Sequence, residues 1–220
     1  MLGALVFDFD GLIIDTESSG YTTAAEVFTA HGHELSVDWW HSIIGTADHP
    51  HWSEVLEGLL GQPLDDRASV LAARQARHHA LVAAQPVSAG LLELLDAATA
   101  AGVPAAVASS SSHDWVAGNL ARLGILDRFE AVATGDQVRR TKPAPDVYLA
   151  ACRALDVLPA SAVAFEDSPN GIAAARAAGL ACVAVPGPMT ATLDLSAAHL
   201  VVESLLDVGW SQLSALTSRP

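Results

Sequence analysis

Two aspartates near the start of the chain, Asp8 and Asp10, have a spacing that suits nucleophilic or acid–base chemistry. They end an apolar run typical of a buried strand, and an extended backbone places residues two apart on the same side. Ligands of open α/β sheets bind beyond the carboxyl ends of strands, where this pair lies. Two carboxylates so close together require a cation or a shared proton. On these residues alone, an acidic turn after a strand explains the pattern equally well.

Three other segments carry groups that suit a bound cation and a phosphate. Ser109 and Ser110 end a second apolar run before a helix, where hydroxyls and backbone N–H groups form an anion cradle. Lys142 is the one lysine beside ten arginines, and a compact ammonium suits a point contact with phosphate. Glu166 and Asp167 end another apolar run with two acids. Together with the first aspartates, these segments predict a Mg²⁺ and phosphate site.

Strand-like and helix-like patterns alternate over most of the chain. Short apolar runs predict strands at 2–7, 103–108, 131–134, 162–165, 181–185 and 199–202. Helical patterns occupy 91–100, 115–123, 145–155 and 171–178. This alternation predicts an α/β fold whose parallel sheet is covered by helices on both faces.

The stretch from about residue 16 to 84 contains no convincing strand. Helical patterns cover 20–31, 37–44, 50–60 and 65–84, and seven of the nine histidines fall within the stretch. We therefore predict an α/β core domain of residues 1–15 and 85–220 with an inserted all-helical domain of residues 16–84. Histidines at 31 and 33, and at 49 and 51, leave a transition-metal site as an alternative, although no cysteine or acidic pattern accompanies them.

The net charge of −14 excludes a general nucleic-acid binder and disfavours binding to an anionic membrane surface. No apolar run reaches the roughly 18 residues of a membrane-spanning helix, and the first residues lack the basic region of a signal peptide. Cys152 and Cys182 have no metal or redox spacing, which favours two reduced core thiols. These features predict a cytoplasmic protein. We expect a monomer or a weak homodimer, although the sequence does not fix the oligomeric state.

The order of these segments resembles the four motifs of the haloacid dehalogenase superfamily. In chain order, the segments that resemble them are Asp8 to Glu17, the Ser109 segment, Lys142-Pro143 and Glu166-Asp167. The resemblance covers essentially the whole chain, and the helical insert stands where that superfamily has its C1 cap. The branch that the chain resembles most contains β-phosphoglucomutases and sugar-phosphate phosphatases. This implies a Rossmann-like parallel sheet core with an inserted all-helical cap domain.

The resemblance also implies a Mg²⁺-dependent phosphatase of a small phosphorylated metabolite, of the sugar or polyol phosphate type, that forms an aspartyl-phosphate. Asp8 would be the nucleophile, and Asp10 the general acid and then the general base. The groups that would hold the transferring oxygens are Ser109, the Ser110 amide and Lys142. The metal ligands would be Asp8, the backbone carbonyl of Asp10, Asp167 and, directly or through water, Glu166.

At several positions this chain differs from related families of the superfamily, and these differences favour some activities over others. Haloacid dehalogenases generally lack an aspartate at the place of Asp10, and phosphonoacetaldehyde hydrolases use a cap lysine that this insert does not contain. β-Phosphoglucomutases carry a cap histidine and a cap arginine where this chain has Gly20 and Asp48. An aspartate there would repel a second phosphate, so hydrolysis is favoured and a sugar phosphomutase stays the alternative.

Selection of the leaving group would fall to the cap. The candidates for this role are Thr16, Gly45, His49, His51 and Trp52, although ordinary surface and core positions of the cap explain them as well.

A hypothesis of another class is a phosphorylatable signalling module without turnover. Receiver domains also combine acids, a Ser or Thr and a lysine around Mg²⁺, but they lack a helical insert after the first strand.

Overall fold

The computed structural model describes residues 2–217, and a six-stranded sheet forms its centre. The strands are β1 (Ala4–Phe7), β2 (Ala105–Ala108), β3 (Ala131–Ala133), β4 (Ala162–Glu166), β5 (Ala181–Ala184) and β6 (Leu200–Val201). Every pair of neighbours is parallel, and the order is β3-β2-β1-β4-β5-β6. The predicted Rossmann-like α/β class is confirmed. The strand order reverses between β1 and β4, where such sheets bind ligands.

Large and small apolar side chains segregate to opposite faces of the sheet. Leu5 and Phe7 of β1 pack on one face with Phe165 of β4, whereas Ala4 and Val6 pack on the other. The rings of Phe7 and Phe165 stack with their centroids 4.7 Å apart, a favourable aromatic geometry. Both faces are therefore buried, which explains why these strands are almost continuously apolar.

In chain order, four helices of the described residues follow β1 and precede the rest of the core. They are α1 (Glu17–Ala30), α2 (Val37–Ile43), α3 (Trp52–Leu60) and α4 (Arg67–Ala83). They bury an apolar cluster of their own, which includes Phe28, Trp40, Trp52 and Leu56. This cluster is separate from the two on the sheet faces, as a helical unit inserted after the first strand requires. The boundaries at 16 and 84 stay a prediction.

The sheet is covered by α5 (Leu91–Ala100), α6 (His113–Arg122), α7 (Asp146–Ala154), α8 (Pro169–Ala178) and α9 (Trp210–Leu216). Leu91 of α5, Leu120 of α6 and Leu213 of α9 pack on the face of large side chains. Tyr148 of α7 and Ile172 of α8 pack on the face of small ones. Among residues 2–217, no helix combines the length and the apolarity that crossing a membrane requires.

Predicted and observed bounds differ most at the start of α1. Apolar periodicity predicts a start at residue 20, but the helix begins at Glu17. The first turn consists of Glu17, Ser18 and Ser19, whose polarity hides it from a search for apolar spacing. This difference matters because the polar first turn of α1 lies against the cavity described below.

Candidate active site

The carboxyl ends of β1, β2 and β4 lie side by side, so the residues that follow these strands meet at one edge of the sheet. Asp8 follows β1, Ser109 follows β2, and Glu166 with Asp167 stands at the end of β4. Lys142 reaches the same place from the loop before α7. The sheet therefore brings together the four segments that the sequence singles out.

Lys142 is the charged centre of this cluster. Its Nζ lies 2.5 Å from Oδ1 of Asp8 and 2.6 Å from Oε1 of Glu166. Only 1% of its side chain is exposed, so the ammonium has lost almost all of its hydration. Burial opposes the charge, but the two carboxylates outweigh it and hold the pKa of Lys142 above its ordinary value.

Glu166 is fixed in place from several sides. The Tyr148 hydroxyl donates to its Oε1 at 2.6 Å, and the Asp167 N–H and Ser168 hydroxyl donate to Oε2 at 3.1 and 3.2 Å. The carboxylate lies directly against the backbone of Gly171, where a Cβ would fall 1.9 Å from it. Glu166 is therefore a rigid support for Lys142 and its neighbours.

Asp167 has a buried carboxylate that is left without hydrogen bonds. Within residues 2–217, neither of its oxygens has a hydrogen-bond partner. Asp8, Glu166 and Asp167 each offer one oxygen, and these three atoms lie within 4.8 Å of one another. Burial raises the pKa of Asp167 well above its ordinary value, and the charges of Asp8 and Glu166 add to this effect.

A divalent cation fits this arrangement. One ammonium, that of Lys142, faces three carboxylates, and orphaned buried oxygens are costly without a partner. An all-oxygen donor set of this kind suits Mg²⁺. Asp10, a further predicted ligand through its backbone carbonyl, is not part of the side-chain cluster, and its contact with a metal stays a prediction.

The side chain of Asp10 is instead held by four donors. Its Oδ1 accepts from the Thr16 hydroxyl and from Nε1 of Trp115, each at 2.9 Å. Its Oδ2 accepts from the hydroxyls of Ser111 at 2.6 Å and Ser109 at 3.2 Å. The four hydrogen bonds fix the direction in which this carboxylate points.

The loop after β2 joins the core to the helical insert. Ser110 donates from its hydroxyl to the carbonyl of Gly45 at 2.9 Å, and it accepts from the Lys142 N–H at 3.3 Å. On the other side, Nδ2 of Asn170 donates to the carbonyl of Ile44 at 2.8 Å. Gly45 has a φ of +84°, and a Cβ there would fall 2.3 Å from Oγ of Ser168. A side chain at this position would therefore separate the insert from the core.

A cavity of about 580 Å³ lies between the strand ends and the insert. Its walls include the core candidates Asp8, Asp10, Ser109 and Ser110 and the cap candidates Thr16, Gly45, His49, His51 and Trp52. Lys142, Glu166 and Asp167 are buried against Asp8 rather than exposed in the wall. The structure thus brings all the sequence-predicted site residues to one place.

The cap candidates have different surroundings. His51 caps the start of α3 by accepting from the Ser53 N–H at 3.3 Å, and partial burial lowers its pKa. His49 contacts the carbonyl of Pro50 through Nδ1 at 2.8 Å. The ring of Trp52 lies 5.7 Å from the guanidinium carbon of Arg74, within the range of a cation–π contact.

Arg74 and Glu17 are wall residues that the sequence interpretation missed. Arg74 donates from Nη2 to the carbonyl of Gly20 at 2.8 Å, so the cavity does contain a cap arginine. It comes from α4, not from the position of Asp48, and the argument against a second phosphate is correspondingly weaker. Arg74 and His78 are one helical turn apart on α4, and both line the cavity. Their spacing in the sequence predicts that the two side chains share one face of a helix.

Glu17 titrates unusually in this setting. It is half-buried beside the Trp40 indole, whose N–H donates to Oε2 at 3.3 Å. Burial, reinforced by the charge of Asp10, raises the pKa of Glu17 to about 8. Near neutral pH its carboxyl group is therefore able to donate as well as accept a hydrogen bond.

The chain is similar to several known proteins. A family model described as haloacid dehalogenase-like hydrolase matches residues 5–185. YhcW of Bacillus subtilis is 41% identical over 193 residues, which are 88% of this chain and 87% of YhcW. The validoxylamine A 7'-phosphate phosphatase of Streptomyces hygroscopicus is 32% identical over 97% of this chain and 99% of its own. The crystal structure of CbbY from Rhodobacter sphaeroides in complex with phosphate has a TM-score of 0.78 at 31% identity, covering 97% of this chain and all of that one.

We predict opposite stability effects for the same substitution at two helical glycines. Gly171→Ala places a Cβ against the fixed carboxylate of Glu166 and should lower the free energy of unfolding by about 1–3 kcal/mol. At Gly118 in α6, an added Cβ would meet no heavy atom of the described residues within 4 Å apart from its own stretch of helix. Gly118→Ala should therefore raise the free energy of unfolding by about 0.5–1 kcal/mol. Urea denaturation of both variants measures the difference. Shifts in the same direction would contradict the crowding at Gly171.

We also predict that Glu17 makes stability depend on pH. Its pKa is about 8 in the folded state and 4.5 ordinarily, so the folded protein retains a proton that the unfolded chain releases. The contribution of Glu17 to stability should therefore fall as pH rises from 4.5 to 8, so the stability of the wild type relative to Glu17→Gln should fall across this window. Unfolding free energies measured across this window in EDTA test it, with Glu93→Gln, at an exposed position of α5, as the control for charge removal. A constant difference between Glu17→Gln and the wild type at all pH values would sink the assignment.

Proposed function

Because the chain belongs to the haloacid dehalogenase-like hydrolases, we propose that it is a Mg²⁺-dependent phosphatase acting through an aspartyl-phosphate. Its substrate is a small phosphorylated metabolite of the sugar or polyol phosphate type. The observation that carries the proposal is the buried cluster in which Lys142 bridges Asp8 and Glu166 beside the unpartnered oxygens of Asp167. Such a cluster is poised to neutralise a transferring phosphoryl group.

Asp8 is the nucleophile in this proposal. Lys142 holds its Oδ1, which leaves Oδ2 to attack phosphorus from the wall of the cavity. The fixed ammonium keeps the carboxylate in position, so little reorganisation is needed when the bond to phosphorus forms. In this proposal the hydroxyl of Ser109, the amide of Ser110 and Lys142 bind the phosphoryl oxygens.

The metal ligands are the side chains of Asp8 and Asp167, the backbone carbonyl of Asp10 and Glu166, directly or through water. When bound there, Mg²⁺ supplies positive charge to the transferring group and relieves the repulsion among the acids. The orphaned oxygens of Asp167 support this assignment, because a buried carboxylate without donors gains most from a cation.

Asp10 serves as the general acid and then as the general base. It gives a proton to the leaving oxygen and later takes one from the water that hydrolyses the aspartyl-phosphate. It lies in the cavity wall on the side of the helical insert, since Thr16 contacts it directly. This is the side on which the leaving group of a substrate bound at Asp8 must lie.

Residues 16–84 act as a cap over the site. Closure of the cap excludes bulk water and brings the selecting side chains against the leaving group. The indoles of Trp40 and Trp52, with the polar ends of Glu17 and Arg74, make a wall with apolar faces and both donors and acceptors. Such a wall suits a hydroxyl-rich leaving group, which agrees with the phosphorylated sugar-like compound in the name of one relative.

A sugar phosphomutase is the second candidate, and Arg74 is the observation that favours it. A cation in the cap half of the cavity could hold a second phosphate. Against the mutase stand Gly20, where mutases of this branch carry a histidine, and Asp48, where they carry an arginine.

The signalling module fits less well, because a helical insert covers the acids that a signalling partner would need to reach.

We expect phosphate release from sugar phosphates to require Mg²⁺ and Asp8. In a screen of phosphorylated metabolites, EDTA should abolish release, and Asp8→Asn should lower turnover at least about a thousandfold because the nucleophile is lost. Phosphate production measured with a coupled assay gives the result. Turnover retained by Asp8→Asn would rule out the aspartyl-phosphate, and formation of an isomeric sugar phosphate would favour the mutase.

Lys142→Met should lower kcat by about a hundredfold or more, since the cation that orients Asp8 and neutralises the phosphoryl group is gone. Arg140→Met is the matched control from the same loop, because the Arg140 side chain is 65% exposed and its guanidinium pairs with Asp146 at 3.0 Å. Steady-state kinetics and circular dichroism on both variants separate catalysis from folding. Near-normal rates in folded Lys142→Met would refute the role of the ammonium.

A further inference from the structure

Trp115 links Asp10 to the core helix α6. Its indole Nε1 donates to Oδ1 of Asp10 at 2.9 Å, and the half-buried ring lies in the wall of the cavity. Neither the metal cluster nor the phosphoryl-binding groups use this side chain. A buried donor aimed at the proposed acid–base residue therefore calls for a role of its own.

The other side of Trp115 is covered by the helical insert. His78 of α4 stacks on the ring with centroids 5.4 Å apart at 23°, and His79 lies at 5.2 Å and 33°. His78 also lies 3.4 Å, through Nε2, from the backbone carbonyl of Thr16, whose hydroxyl donates to Asp10. Burial and the charge of Arg74 lower the pKa of His78 to about 4, so the stacked ring is neutral at pH 7.

The indole differs chemically from the other three donors to Asp10. The hydroxyls of Thr16, Ser109 and Ser111 rotate and can accept as well as donate, whereas an indole N–H only donates, in the plane of its ring. The indole therefore fixes the direction of the carboxyl group, whereas the three hydroxyls can turn to accept from it when it carries a proton.

We propose that Trp115 is a positioning residue that holds the carboxyl group of Asp10 in the orientation from which it gives its proton to the leaving group, and that its stacking on His78 and His79 makes this alignment depend on cap closure. The inference rests on the proposed phosphatase function. In the step concerned, Oδ2 of Asp8 bonds to phosphorus, and the bond from phosphorus to the leaving oxygen breaks. The electron pair stays on that oxygen, which takes the proton from Asp10.

The test compares leaving groups that do and do not need a proton. A p-nitrophenolate leaves readily as an anion, whereas an alkoxide does not. Trp115→Phe keeps an aromatic ring for the histidines but removes the N–H. We expect its kcat/KM to fall at least about tenfold for an alkyl phosphate and less than about threefold for p-nitrophenyl phosphate, with KM nearly unchanged. The alkyl substrate is whichever of fructose 1-phosphate, ribose 5-phosphate and glycerol 3-phosphate the wild type hydrolyses fastest.

A double-mutant cycle separates positioning from general damage. In an Asp10→Ala background, Trp115→Phe should leave the alkyl-to-aryl ratio of kcat/KM unchanged, because the group it positions is gone. Trp210→Phe in α9, outside the cavity wall, is the matched control and should leave the ratio at the wild-type value. Equal losses on both substrates, or a Trp115 effect that persists without Asp10, would overturn the proposal.

A separate experiment tests the coupling of Trp115 to the cap. His78→Ala should shift the alkyl-to-aryl ratio of kcat/KM in the same direction as Trp115→Phe, but by less. In the Trp115→Phe background, His78→Ala should cause no further change in this ratio. An additive effect of His78→Ala in the Trp115→Phe background would overturn the coupling through the indole. The proposed function fails separately, if the wild type releases no phosphate with Mg²⁺ or if Asp8→Asn keeps its turnover.

Discussion

The buried contact of Lys142 with Asp8 and Glu166 is the interaction on which the arrangement of the site depends. Three carboxylates within 4.8 Å repel one another strongly where water is excluded, and one ammonium offsets only part of that charge. The remaining charge calls for a cation beside Asp167. The demand for neutralisation at one point explains why charged groups from three separate segments meet here and why Glu166 is held by Tyr148 from behind.

The sheet meets this demand through the placement of its strand ends. Stacked phenylalanines on one face and alanines on the other keep β1 buried on both sides, so Asp8 leaves the strand in a fixed direction. The helical insert then closes the space above. Donors from the insert and from the core meet at Asp10, which receives one from the insert and three from the loop and helix after β2.

Local patterns were sufficient to predict much of this molecule. Strand–helix alternation predicted the sheet, and the acids, serines and lysine at strand ends predicted the core of the site. Trp115 escaped because its contact with Asp10 arises from packing between distant elements, which no local spacing reports. Arg74 is one helical turn from His78, but that spacing alone does not show that their shared face lines a cavity. Glu17 lay within a recognised motif, yet its raised pKa comes from burial beside Trp40 in the insert. Helix α9 was not predicted from the sequence.

The insert meets the core partly through main-chain atoms: the carbonyl of Gly45 accepts from Ser110, and that of Ile44 accepts from Asn170. Main-chain acceptors are present whatever side chains stand nearby. Mutation of wall residues such as His49 or Trp52 therefore leaves these two docking hydrogen bonds intact. Over evolutionary time, the side chains that line the cavity can therefore change while these two hydrogen bonds between the insert and the core are kept.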